Sequence, residues 1–245
     1  KMKKSIWLLS TLIVLSLVLS ACGQTPATEP TEVNCRAEAS YETVGSYQVP
    51  APIEGCFNVA FVYVGPHDDG GWSQSHDVGR QYVEQTLEGV HTAYVENVAE
   101  GADAEQVTRS LARKGFDVIF TTSFGFMDAS EIVASEFPDV DIIHISGYKS
   151  NGENFGNLMG AMEDMKYLAG ILAGSRAKMD GNPKVGYMAT FPIPEELRLG
   201  NAFAIGVEKT CPECSIDVRF INTWHDPILE QDGYDIESAA DGEEA

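Results

Sequence analysis

The stretch GPHDDGGWSQSHDVG, Gly65–Gly79, concentrates more chemistry than a connector needs. Trp72 offers an aromatic face on which a flat ring can stack. Asp69 can accept hydrogen bonds from hydroxyls, and Ser73 and Gln74 can both donate and accept. Similar mixtures recur further on: SFGFMD at 123–128 with Phe124, Phe126 and Asp128, GYKSNGENFG at 147–156, FPIPEE at 191–196, and NTWHDP at 222–227 with Trp224 and Asp226. Each follows an apolar run. An aromatic that belongs to a core sits inside such a run, whereas these sit just beyond its end. Aromatic planes and carboxylates together suit a flat ring attached to a polyol. Stacking alone does not tell a nucleobase from another ring.

Other chemistries fit less well. His67, Asp68, His76 and Asp77 are metal-ligand types, yet they lack a compact ligand spacing, so no metal and no cofactor is expected. Asp77 is expected in the first turn of a helix, where its charge suits the dipole, with His76 beside it on the surface. No GxSxG, HExxH or GxxxxGK[ST] pattern occurs. The adjacent acids Asp68 and Asp69 need not converge on one atom. No catalytic residue is assigned, and hydrolysis of a nucleoside by the acidic loop is the enzymatic alternative.

The elements that position these loops follow a regular rhythm. FNVAFVYV (Phe57–Val64) is a continuous apolar run, as a buried parallel strand requires. Helical spacing over Ser75–Leu87 comes next, then a strand over His91–Asn97 and a helix over Ala102–Lys114 ended by Gly115. A strand over Asp117–Thr122, a helix over Met127–Phe137 stopped by Pro138, and a strand over Asp141–Ser146 complete the first series. Asp164–Met179 predicts a longer helix whose Ala169, Gly170, Ala173 and Gly174 permit close packing on a neighbour. Strand Lys184–Thr190, helix Glu195–Lys209 and strand Ser215–Thr223 then begin a second series. Glu195 and Glu196, after two prolines, suit a helix start and are a weaker candidate for the cleft. Strands alternating with helices give a parallel α/β sheet, and in such sheets ligands meet the carboxyl ends of the strands.

The remaining composition bounds the class. The chain has 245 residues with 44% hydrophobic content and a formal net charge of −21. It is long enough for two lobes with real cores. Its acidity argues against nucleic acid, which needs a basic footprint. Residues 1–21 carry early lysines, an apolar run from Ile6 to Leu19 and a small-residue exit, the layout of a secretory signal. Leu19-Ser20-Ala21-Cys22 resembles a bacterial lipobox, which makes Cys22 the lipidation candidate; an ordinary signal or an uncleaved anchor is the alternative. Residues 22–55 are expected to form the lipidated N-terminus and a flexible tether, on the proline- and threonine-rich composition of 23–34. Export favours disulfides. Cys35–Cys56 and Cys211–Cys214 are the favoured pairs, with a redox dithiol or half of a zinc site as the other readings of CPEC at 211–214. Residues 56–160 are the first α/β lobe, 161–227 an inter-lobe helix and a partial second lobe, and 228–245 an acidic tail with little apolar periodicity.

The blocks VYVGPHDDGGWSQSHDVGR, YVENVAEGADAEQVTRSLARKGFDVIFTTSFGFMD, GENFGNLMGAMEDMKYLAGILAG, KVGYMATFPIPEELRLGNAFAIGV and NTWHDP occur in this order. Through them the chain, from about Asn58 to Pro227, resembles the basic membrane protein (PnrA-like) family of ABC-transporter substrate-binding lipoproteins, which includes purine-nucleoside receptors. The resemblance implies a type I periplasmic-binding-protein fold: two Rossmann-like lobes with parallel sheets around a cleft, the second lobe incomplete here. It also implies a small-molecule ligand, an ABC permease with its ATPase, a monomer lipid-anchored on the extracytoplasmic face of the cell membrane, and no enzymatic activity. At matching positions Trp72 with Phe124 or Phe126 would clamp a base. Asp69, Gly71, Ser73 and Gln74 would line the first loop, and Asp128, Trp224 and Asp226 would complete the ligand set. Two departures stand out. The first loop reads DGGWSQ where well-known nucleoside receptors read DKSFNQ, and family members continue well beyond the NTWxDP block. A lipid-anchored sensor without a transport role is the alternative function.

Overall fold

The computed structural model describes residues 33–224. The lipidation candidate Cys22, the site candidate Asp226, and the signal and acidic-tail segments lie outside the described residues.

The first lobe is built on a five-stranded parallel sheet in the order β4-β3-β5-β6-β7. Its strands are β3 (Phe57–Val62), β4 (Val90–Val95), β5 (Val118–Thr121), β6 (Asp141–Ile145) and β7 (Phe155–Leu158). Helices α1 (Trp72–Thr86), α2 (Ala102–Lys114) and α3 (Met127–Glu136) connect them. Side chains alternate between the two faces of the pleat. Ala60, Val62, Ile119 and Ile142 therefore meet Val107, Leu111 and Val133 of α2 and α3 in one core. Val59, Phe61 and Tyr63 form a second cluster on the opposite face. Burial on both faces explains why β3 is apolar apart from Asn58, whose buried side chain is hydrogen-bonded to the backbone of Ile53 and Cys56.

The expected elements are present, with shifts at their ends. Gly115 ends α2 in the left-handed region at φ +96°, and α3 stops at the residue before Phe137-Pro138. β7 replaces part of what reads as a loop in the sequence. The described part of the expected tether is structured. β1 (Tyr41–Val44) and β2 (Tyr47–Pro50) pair as an antiparallel hairpin. The Tyr47 hydroxyl donates to Asp103 (2.7 Å) at the start of α2 and accepts from the Ala99 N–H. The disulfide Cys35–Cys56 ties this segment to the base of β3.

After β7 the chain crosses to the second lobe. Helix α4 (Met162–Asp180), strand β8 (Lys184–Ala189), helix α5 (Pro194–Thr210) and strand β9 (Ser215–Phe220) follow, with β8 and β9 parallel. The small residues of α4 serve close packing. A Cβ on Gly170 would lie 2.0 Å from the Phe203 carbonyl oxygen, and one on Gly206 of α5 would lie 2.2 Å from that of Tyr167. The disulfide Cys211–Cys214 closes the turn between α5 and β9. The other side of α4 leaves Met165, Leu168, Leu172 and Met179 exposed. No described helix is long and apolar enough to cross a membrane.

Candidate functional site

The sheet order reverses between β3 and β5: β4 lies outside β3 on one side, while β6 and β7 continue beyond β5 on the other. At such a switch point the loops leaving adjacent strands diverge and open a crevice at their carboxyl ends. The loop after β3 and the loop after β5 carry the two richest motifs of the sequence.

Trp72 bridges this crevice. Its indole Nε1–H donates to the Thr122 carbonyl at the end of β5 (2.5 Å), and the residue remains 41% exposed, so the ring is fixed in place and partly open. His76, one turn later, packs against it at 4.7 Å between ring centroids and donates from Nδ1 to the Trp72 carbonyl. Burial lowers the His76 pKa, against the pull of that carbonyl and of Asp69 and Glu195. His76 is thus half-buried beneath Trp72, not a free surface side chain.

The polar residues of the first loop mostly hold the loop. Asp69 accepts from the N–H groups of Gly71, Ser73 and Gln74. These bonds satisfy donors that a helix start leaves orphaned, and they explain why α1 begins at Trp72, earlier than helical spacing alone predicts. Burial raises the Asp69 carboxyl, but the three backbone bonds outweigh it and hold it below its usual range. Ser73 is buried and its hydroxyl accepts from the Gly65 N–H. Gln74 lies exposed on the first turn. His67 bonds to Glu96 at the end of β4 through both its backbone N–H and its ring (2.8 Å each).

Asp77 differs from expectation. It is 1% exposed and receives hydrogen bonds from Tyr63, Arg80 and Gln81. Arg80 continues to Glu84 and Thr92 and lies 5.0 Å over the Tyr94 ring. A charge at this position answers a buried guanidinium rather than the helix dipole.

The loop after β5 forms a 3-10 turn, Phe124–Phe126. Phe126 is fully buried in the first-lobe core, which removes it from the exposed wall. Phe124 is half-buried and faces the exposed Tyr148 ring at 6.4 Å. Glu100, which the sequence does not single out, accepts from the Ser123 hydroxyl (2.5 Å) and the Gly125 N–H and so fixes this turn. Asp128 is ion-paired with Lys149, which also meets Glu131.

The second lobe also carries aromatics at the ends of its strands. At the ends of β8 and β9, Phe191 and Trp224 meet edge to face at 4.5 Å. Phe191 lies in the FPIPEE motif but does not stand out from its prolines in the sequence. Glu195, in the first turn of α5, reaches the first lobe and accepts from the Ser146 hydroxyl (2.5 Å). Each lobe thus carries aromatic side chains at the carboxyl ends of its strands, and the Ser146–Glu195 hydrogen bond joins the two ends. No group of histidine, cysteine, aspartate and glutamate suited to a metal ion occurs among the described residues. A hollow of about 540 Å³ lies elsewhere, against α2, but its Arg109 and Lys114 are already paired with glutamates.

Residues 56–237 match the family profile of ABC transporter substrate-binding proteins, PnrA-like. The chain belongs to this family. A purine-binding protein of Brucella abortus is 39% identical over 74% of the chain and 51% of its own length. A Haloferax volcanii protein named as an ABC transporter glucose-binding protein is 41% identical over 72% of the chain and 44% of its own length. The chain spans about half the length of the curated relatives it matches. Among solved structures, an ABC-transporter solute-binding protein from Aeropyrum pernix shares the fold with a TM-score of 0.61 at 21% identity, over 72% of the chain and 50% of that protein. One from Conexibacter woesei does so with 0.53 at 23%, over 72% and 58%. The family is one of substrate-binding proteins, not of enzymes, and the two solved structures share the parallel α/β architecture seen here.

Proposed function

We propose that this chain carries the ligand-binding cleft of a solute receptor for an ABC importer, and that its ligand is a purine base or nucleoside. The observation that carries this reading is Trp72. Its ring is held by the bond to Thr122 across the switch point, and we read the Phe191–Trp224 pair of the second lobe as the facing wall. A flat ring entering between these walls stacks on Trp72 without reorganising it, and a preorganised aromatic loses little entropy on binding. Phe124 and Tyr148 extend the platform. Gln74 is free to meet a ring edge, while Asp69 keeps the loop in shape and adds negative charge at its rim. The name of the Brucella relative points the same way.

A sugar is the second reading, favoured by the name of the Haloferax relative. Aromatic walls with carboxylates also suit a pyranose, and the two ligands separate in one experiment. Thermal unfolding is followed with adenine, hypoxanthine, adenosine, inosine and glucose in turn. A ligand bound only by the folded state stabilises it by about 2.7 kcal/mol at a hundred times its Kd. A rise with the purines that Trp72→Ala abolishes, in a variant that still folds, supports the proposal. A rise with glucose alone replaces purine by sugar, and no rise with any of them defeats both.

In the cell, the reading places the receptor on the extracytoplasmic face, anchored through a lipid on Cys22, and hands the ligand to a permease driven by its ATPase. Intact mass of membrane-extracted protein tests the anchor: a diacylglyceryl addition at Cys22, absent from Cys22→Ser, is expected.

A further inference from the structure

Ser146 stands at the carboxyl end of β6 with φ +77°, in the left-handed region that a non-glycine residue adopts only when its surroundings enforce it. The surroundings are tight. A Cβ on the next residue, Gly147, would lie 2.1 Å from His144 Nδ1 and 3.0 Å from the Met127 sulfur. His144 is fully buried and anchored by donating from Nε2 to the Ser123 carbonyl (2.7 Å). The turn so formed directs the Ser146 hydroxyl out of the first lobe to Glu195 of the second. Among the described residues, no helix or strand of one lobe packs extensively on an element of the other. Lobes joined so sparsely are free to move.

We infer that Glu195 is the closing residue of this cleft, and that its hydrogen bond with Ser146 holds the two lobes together whatever ligand lies between them. Glu195 suits the task because Pro194 and its place in the first turn of α5 fix its backbone. The helix N-terminus favours its charge. Across the gap it faces His76, and on its own helix Glu196. The left-handed turn at Ser146 supplies a hydroxyl in one position, so the latch engages only when α5 approaches β6.

The test reads lobe separation directly. In the full chain with Cys22→Ser, nitroxide labels on Asp139→Cys in the first lobe and Lys178→Cys in the second report the inter-lobe distance by pulsed electron resonance. Glu195→Ala and Ser146→Gly are expected to move the distance distribution to longer values. Ser146→Gly relieves the backbone conformation while removing the hydroxyl, so its melting temperature should not fall. Glu195→Gln, whose amide oxygen still accepts from the hydroxyl, should keep the parent distribution. The double variant Ser146→Gly/Glu195→Ala should open no further than either single variant. Unchanged distances in both single variants overturn the inference, as does a double variant that opens by the sum of the two. Neither result depends on which ligand the cleft takes.

Discussion

At the residue scale, polar groups in the first loop divide between those that build and those that remain available. Asp69, Ser73 and His67 are engaged by the protein itself, while Trp72 presents a face. Asp77 shows how strongly the protein depends on such engagement. Removing its carboxylate leaves Arg80 buried without its closest partner, and Asp77→Ala should cost about 3 kcal/mol in urea unfolding. Burial raises the Asp77 carboxyl, but bonds from Arg80 and Gln81 and the Arg80 charge hold it below 3.8. Its contribution is therefore fully present above about pH 4 and is lost as pH falls through the depressed folded value. Acid titration of the parent and of Asp77→Ala should converge there. His67 has the opposite sign. Its bond to Glu96 raises the imidazole above 6.5, against a smaller burial effect, so that contribution is complete below pH 6.5 and fades as pH rises through the folded value. Proton NMR should find the His67 ring titrating above its ordinary value, and Glu96→Gln should return it.

At the element scale, helix contacts rest on the absence of side chains. The α4–α5 crossing brings Gly170 and Gly206 against opposing backbone, which cannot yield as a flexible side chain can. Gly206→Ala forces the helices apart and should lower stability by about 2–3 kcal/mol, measured by denaturant unfolding of the second lobe. The small-residue spacing of YLAGILAG announces this packing in advance. The hairpin of β1 and β2 was legible in principle. Two short runs rich in β-formers flank Gly45-Ser46, with Gly45 at φ +62°, which is a hairpin signal. Its neighbouring proline- and threonine-rich segment masks it, because composition averages over a window while a turn depends on two residues.

At the scale of the whole molecule, the two lobes have unequal cores. The first is enclosed on one sheet face by α2 and α3 and partly covered on the other by α1, whereas β8 and β9 rest on a small cluster around Tyr187, Phe203 and Val207. Local opening free energy follows buried apolar contact. Amides of β8 and β9 should therefore exchange with solvent faster than those of β3 and β5, and hydrogen exchange with mass detection resolves the two sets. The Cys35–Cys56 disulfide closes a loop between residues 21 apart. Replacing both cysteines by serine should cost about 3 kcal/mol through the unfolded state, with the hairpin the first segment to lose protection.

Periodicity in the sequence is enough for the alternation of β3 to β6 with α1 to α3, and of β8 and β9 with α4 and α5, because strands buried on both faces are mostly apolar and helices packed on them are apolar at spaced positions. It does not reach the short strands β1, β2 and β7, which are set by the strands they pair with. Which aromatic of SFGFMD is core and which stays half-exposed is settled in three dimensions: Phe124 and Phe126 are two residues apart in a turn held by Glu100, distant in sequence. The tertiary structure alone showed Asp69 bound to a helix start and Asp77 to Arg80, because a carboxylate's role depends on which donors fold around it. The contact between Ser146 and Glu195 belongs to the same class. Nothing local in either residue specifies the other; their meeting follows from how two separately built lobes approach in space.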